Sequence, residues 1–267
     1  MRSLLLTPID CWRAPAPPPK RVGWLGEWTY AHRGLHGADI PENSTAAFAA
    51  AMAAGYGIEC DVQRSGDGRA VVFHDWEFDR LTDETGPVSD RTAGEIETIP
   101  LSGNGEYIRT LEHFLDQVDG TVPVLIEIKS RNDRRVRPLC LAVHRALEGY
   151  RGRHAVMSFD PRVSRWFASH SRNTVRGLVV TEENAKSLAG RWRRHSALWI
   201  AKPDFLAYDI RDLPSAFAAA QRRRGLPVLS WTVRSAAHRE VVDLHADAAI
   251  AEGEGIARSA PESEQGA

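Results

Sequence analysis

The chain has 267 residues, a formal charge of −1, and is 43% hydrophobic and 26% charged. That length can bury a sizeable core as one domain or two, and the composition excludes a disordered or fibrous chain. The near-neutral balance supplies no global field toward nucleic acid or anionic lipid, and the basic runs at 131–137 and 191–194 read as solvated helix ends.

Residues 1–28 form an arm. Leu4 to Leu6 are apolar, but Thr7-Pro8-Ile9-Asp10 breaks the run well short of the roughly 7–15 apolar residues of a signal peptide. Pro15, Pro17, Pro18 and Pro19 predict no regular helix in this arm, while Trp12, Trp24 and Trp28 predict that it packs on something. From Tyr30 onward, short apolar runs alternate with helical patterns. Strands are predicted at 30–32, 57–62, 122–129, 154–159, 175–180, 205–210, 227–233 and 248–251. Helices are predicted at 44–54, closed by Gly55, and at 110–118, 136–147, 162–170, 183–194, 215–224 and 236–245.

The interval from Asp61 to Pro123 is too long for one crossover. After the turn Ser65-Gly66-Asp67-Gly68, residues 69–75 read as a further strand. Residues 76–108 read as an irregular insertion rich in Asp, Glu, Gly and Thr, and 258–267 as a polar tail. Eight strands alternating with helices predict the α/β class. The expected fold is a closed TIM (β/α)8 barrel over 29–257, with a small insertion after the second strand. An open doubly wound sheet is disfavoured because residues 32–37 lack a glycine-rich phosphate loop. No run approaches the roughly 18 apolar residues of a membrane span. Three scattered cysteines, Cys11, Cys60 and Cys140, fit a reducing compartment, so a cytoplasmic location is expected.

Acidic and imidazole residues gather at predicted strand ends. His32 ends the first strand and His74 the extra one. Glu59 and Asp61 lie two apart and share a face, as do Glu127 and Lys129, whereas Cys60 points away. In a barrel all of these approach the C-terminal rim, where barrel active sites are built. Three carboxylates on neighbouring strands repel one another unless something positive sits among them. A divalent cation with oxygen ligands, Mg2+ or Ca2+ rather than zinc, resolves that conflict; simple pairing with Arg33 and Lys129 is the alternative. A carboxylate-bound metal, two histidines and two cations suit phosphoryl transfer.

The sequence also resembles the glycerophosphodiester phosphodiesterases. The resemblance is carried by Ala31-His32-Arg33-Gly34, the segment Pro41 to Phe48, Gly57 to Val62, Asp67-Gly68, Val71 to Asp75, Leu81-Thr82, Glu127-Ile128-Lys129 and Ser230 to Val233. It implies a TIM barrel and a small-molecule glycerophosphodiester substrate. It also implies one divalent metal on Glu59, Asp61 and Glu127, and His32 and His74 as the acid–base pair. Arg33 and Lys129 would hold phosphate, Glu42 would assist the metal or substrate, and Trp231 would line the cleft. Attack by the neighbouring glycerol hydroxyl through a cyclic phosphate is implied as well. Two features depart from the family: Ala251-Glu252-Gly253-Glu254 replaces a Thr-Asp-Xaa-Pro-like ending, and the arm has no familial counterpart. Two uses of the arm stay open, a cap on the barrel floor and a contact between subunits of a homo-oligomer. A lysophospholipase D of the same fold would need an apolar groove in the insertion, for which Trp76 and Phe78 are the candidates. A non-catalytic phospholigand-binding barrel would lack a histidine, and both are present.

Overall fold

In chain order the arm contributes α1 (Thr7–Arg13) and α2 (Pro19–Val22). There follow β1 (Tyr30–Ala31), α3 (Thr45–Ala53), β2 (Gly57–Arg64), β3 (Ala70–Val72), α4 (Ala93–Ile96), β4 (Arg109–Thr110) and α5 (Leu111–Val118). The rest alternates: β5 (Val124–Ile128), α6 (Val136–Ala146), β6 (His154–Ser158), α7 (Pro161–His170), β7 (Val175–Val180) and α8 (Leu188–Ala201). It ends with β8 (Phe205–Asp209), α9 (Ala216–Arg223), β9 (Val228–Val233), α10 (Ala236–His245) and β10 (Ala248–Ala251). The structure, a computed structural model, describes residues 6–102, 105–130, 135–183 and 185–256. The expected polar tail at 258–267 and residues 131–134 of the first basic run lie outside the described residues.

Eight parallel strands close into the expected (β/α)8 barrel. The order runs β1-β2-β5-β6-β7-β8-β9-β10, and β1 pairs with both β2 and β10 to make the seam. Alternation sorts the strand residues into two layers. Ile58, Cys60, Val62, Val124, Ile126 and Ile128 face the helices with Phe48, Phe114 and Cys140. Tyr30, Leu125, Met157, Phe205, Leu229 and Ile250 fill the interior. Glu59, Asp61 and Glu127 share the inward phase, with Asp61 opposite Glu127 in register. Most helices start on a hydroxyl or carboxylate cap: Ser44, Thr110, Asp160, Ser187, Ser215 and Ser235 each accept an N–H from the first turn.

Three expectations need correction. The arm does hold helices, because Pro8 and Pro19 fall in the first turns of α1 and α2, where the missing N–H has no intrahelical partner anyway. Its Val22 and Leu25 join the interior cluster, and Tyr30 Oη donates to the Leu25 carbonyl at 3.2 Å. The helix expected at 183–194 is instead Leu188–Ala201: Ser187 caps it, and the apolar stretch 197–201 carries it on to Lys202. The insertion at 76–108 is largely irregular, as expected, with α4 its one short α-helix among the described residues, but it has a core: Phe78, Val88, Ile96, Ile99 and Ile108 pack with Phe73. It is flanked by β3, antiparallel to β2, and by β4, antiparallel to β3. In the second basic run, Arg191 and Arg193 are exposed as expected, but Arg194 turns inward to Glu182 at 3.1 Å.

Candidate active site

The turn after β1 sets the site. Arg33 has φ 56° and Gly34 φ 79°, so the chain reverses sharply against α3. A Cβ on Gly34 would lie 2.8 Å from the Ala47 Cβ, so only glycine allows this approach. The reversal aims Arg33 inward: its backbone N–H donates to Glu59 Oε2 at 3.1 Å, its Nε lies 3.1 Å from Asp61 Oδ2, and Nη1 donates to Glu42 Oε1 at 2.8 Å. Asn43, also left-handed at φ 56°, donates from Nδ2 to Asp61 Oδ2 at 3.1 Å and accepts the Asp61 N–H at 3.3 Å. Just beyond β5, Lys129 Nζ reaches Asp61 Oδ1 at 2.9 Å and Glu127 Oε1 at 2.8 Å.

Glu59, Asp61 and Glu127 are all buried, with carboxylate oxygens within 4.8 Å of one another. Charge is unevenly shared among them. Burial opposes ionisation of Asp61, but Lys129 and Arg33 outweigh it and hold the carboxyl well below its usual range. Glu59 goes the other way: burial, then Asp61 and Glu127, push it well above the usual carboxylate range. Arg33 opposes that push through its charge and its backbone N–H without overcoming it, and His32 Nε2 lies 4.0 Å away. Pairing with Arg33 and Lys129 therefore satisfies Asp61 and Glu127 and leaves Glu59 short of positive charge. A divalent cation fits that deficit, and the all-oxygen donor set suits Mg2+ or Ca2+. Glu42 does not join the cluster; it is gripped between Arg33 and Arg80, the latter at 2.6 Å.

The two histidines flank the cluster in matching ways. His32 Nδ1 lies 2.5 Å from Glu252 Oε2, and Arg234 Nε holds the other oxygen of Glu252 at 2.6 Å. His74 Nδ1 lies 2.6 Å from Asp75 Oδ1, and Arg80 holds Asp75. With Nδ1 resting on a carboxylate, each ring keeps Nε2 for taking or giving a proton. Burial lowers the His74 pKa, with Asp61 acting in the opposite sense. Burial opposes ionisation of Glu252, but hydrogen bonds from His32 and His36 press its carboxyl far below the ordinary range. The insertion is tied to the rim by Phe73 N–H donating to the Asp61 carbonyl at 3.0 Å and by Gln63 Nε2 donating to the Phe73 and Asp75 carbonyls. A cleft of about 470 Å3 opens beside His74, walled by Asp75, Trp76, Arg80 and Lys129. Trp231 stands on β9 with Nε1 donating to the Ala207 carbonyl at 2.9 Å and its ring edge-on to Phe159 at 5.4 Å.

Sequence reasoning thus named the acids and histidines that the fold brings together, and missed Asn43, Gln63, Asp75, Arg80, Arg234 and Glu252. Asp75 and Asn43 carried a signal, being polar residues beside His74 and Glu42 in the quoted motifs. Glu252 did not, since it stood out only as a departure.

Fold and site together define a (β/α)8 barrel with an acidic, histidine-flanked centre at its C-terminal rim. The model of the glycerophosphoryl diester phosphodiesterase family matches residues 32–252, and the chain belongs to that family. It is 43% identical to a glycerophosphodiester phosphodiesterase of Caldanaerobacter subterraneus over 38% of this chain and 44% of that protein. It is 25% identical to glycerophosphodiester phosphodiesterase 1 of Bos taurus over 80% of this chain and 74% of that protein. The curated relatives at 34–46% identity are each matched over less than half of their length. Among solved structures, an Oleispira antarctica phosphodiesterase in complex with its product sn-glycerol-3-phosphate is similar at TM-score 0.73 and 22% identity, covering 84% of this chain and 92% of that one. A Thermotoga maritima glycerophosphodiester phosphodiesterase is similar at TM-score 0.67 and 25% identity, covering 84% and 93%.

Proposed function

We propose that this protein is a metal-dependent phosphodiesterase that splits glycerophosphodiesters into glycerol 3-phosphate and an alcohol. The observation that carries this reading is the buried trio Glu59, Asp61 and Glu127, one positive charge short at Glu59, between two histidines that each rest Nδ1 on a carboxylate. Glu59, Asp61 and Glu127 would hold one divalent cation, Mg2+ or Ca2+, which when bound offsets charge on the phosphoryl oxygens. Arg33 and Lys129 orient and neutralise the phosphate. One imidazole takes the proton of the attacking glycerol hydroxyl while the other gives a proton to the departing alcohol oxygen. In the second step the roles reverse as water opens the cyclic phosphate. Trp231, partly buried at the rim beside Phe159, shapes the cleft for the glycerol or alcohol group.

Of the two groove candidates for a lysophospholipase D, Phe78 is fully buried in the insertion's own core and Trp76 alone faces the cleft, among charged residues, which favours the glycerophosphodiester reading. The free state of Cys11, Cys60 and Cys140 supports a reducing compartment, and we place the enzyme in the cytoplasm. Among the described residues no helix is long and apolar enough to cross a membrane. The test is release of glycerol 3-phosphate from glycerophosphocholine and glycerophosphoethanolamine, with loss in EDTA and recovery on adding Mg2+ or Ca2+. An undiminished rate in metal-free buffer would remove the carboxylate metal site from the mechanism.

A further inference from the structure

We infer that His32, His36 and Glu252 form a second cation site, distinct from the three-carboxylate centre, which takes a zinc-like transition-metal ion and switches the enzyme off. The inhibitory half of this inference rests on the reading of His32 as an acid–base group; the binding half does not.

His32, His36 and Glu252 each place one ligand atom within 4.8 Å of the others, and Glu252 Oε2 lies 2.5 Å from His32 Nδ1. A tetrahedral zinc ion with bonds of about 2.0–2.1 Å to nitrogen and oxygen holds its donors roughly 3.3 Å apart. His36 Nε2 already stands 3.5 Å from Glu252 Oε2. The His32–Glu252 contact at 2.5 Å has only to open by about 1 Å as a metal takes the place of the shared proton. His36 Nε2 is a buried atom whose contact with Glu252 Oε2 is long, at 3.5 Å, so a metal would displace only a weak interaction there. Arg234 fixes Glu252 through the opposite oxygen at 2.6 Å, which leaves Oε2 turned to the two imidazoles. Arg234 is itself largely exposed, so its charge weighs on the site only through solvent screening.

Donor chemistry separates the two centres. Glu59, Asp61 and Glu127 offer oxygen alone and suit a hard cation, whereas two imidazoles and a carboxylate favour zinc and its transition-metal neighbours. Binding moves the His32 ring proton from Nδ1 to Nε2 while Nδ1 takes the metal. A ring with a metal on one nitrogen and a proton on the other cannot accept a second proton, so His32 can no longer cycle between imidazole and imidazolium. Millimolar Mg2+ or Ca2+ would then sustain turnover while Zn2+ arrests it.

The experiment titrates Zn2+ into the purified protein held in excess Mg2+ or Ca2+. Turnover and direct zinc binding, read by competition with a chromogenic chelator, are followed together. Wild type is expected to bind zinc and lose activity in parallel. His36→Ala is expected to keep its zinc-free rate and to need at least about 10-fold more zinc for the same binding and inhibition. His36→Asn serves the same purpose should alanine disturb the loop. Equal zinc binding by wild type and both His36 variants would overturn the site. If no glycerophosphodiester is hydrolysed at all but the wild-type and His36→Ala binding curves still differ, the site stands and only the proposed activity falls.

Discussion

Gly34 shows how one missing side chain can shape the rim of a barrel site. The turn it permits delivers the Arg33 N–H to Glu59 and the Arg33 guanidinium to Asp61. Gly34→Ala must push Ala47 aside and adopt a positive φ, so we expect a loss of about 2 kcal/mol or more by denaturant titration, with activity falling too. His32→Ala and His74→Ala should each lower turnover by about 10²–10⁴-fold without comparable loss of stability; a retained rate in either removes that ring from the chemistry. Glu59 is held in a place that disfavours its charge, so Glu59→Gln should melt a few degrees higher than wild type in EDTA while losing activity in Mg2+. A lower melting temperature would contradict the charge deficit assigned to Glu59. The acids were legible because two-residue spacing inside an apolar run has few explanations other than a shared inward face. Glu252 was not, because its partner His32 is 220 positions away and no local pattern links them.

At the scale of elements, β2 carries opposite chemistries on its two faces. Glu59 and Asp61 point into the site, while Cys60 between them sits in the outer core, where burial pushes its thiol well above the ordinary value. Cys140 on α6 is likewise buried and pushed up to about 12. Labelling with a thiol reagent at pH 8 should therefore modify Cys11 alone in the folded protein and all three cysteines in denaturant; fast native labelling of Cys60 would mean that β2 opens. Strand positions were readable because strands buried on both faces form continuous apolar runs. The α8 boundary was not, since the basic residues 191–194 suggested an end, whereas the later apolar turn over Trp199 and Ile200 continues the helix. The core of the insertion was not legible because its apolar residues are spread singly among Asp, Glu and Thr, and only the tertiary fold collects them.

For the molecule as a whole, one buried acid ties the first helix of the arm to the barrel. Asp10 on α1 accepts from His195 Nδ1 at 2.9 Å, Trp199 Nε1 at 2.8 Å and Gln221 Nε2 at 2.9 Å, which joins α1 to α8 and α9. Burial opposes its charge, but these donors hold its carboxyl below the ordinary 3.8. A depressed carboxyl stabilises the fold above its unfolded pKa and loses that contribution as pH falls through the folded value. Asp10→Ala should cost about 2 kcal/mol near neutral pH, or roughly 2–4 °C in melting temperature per kcal/mol, and its gap from wild type should narrow below pH 3.8. A gap that is constant with pH would show that only packing is lost. The barrel seam has a further consequence, for the making of the protein. His32 and Glu252 meet only when β10 closes onto β1, and 220 residues separate them. At synthesis rates of about 5–20 residues per second, roughly 10–45 s pass between the emergence of the two. A chain that stops after Glu127 but short of β10 therefore carries its three acids and both histidines with no closed ring to align them, and we expect such unfinished copies to lack the proposed activity.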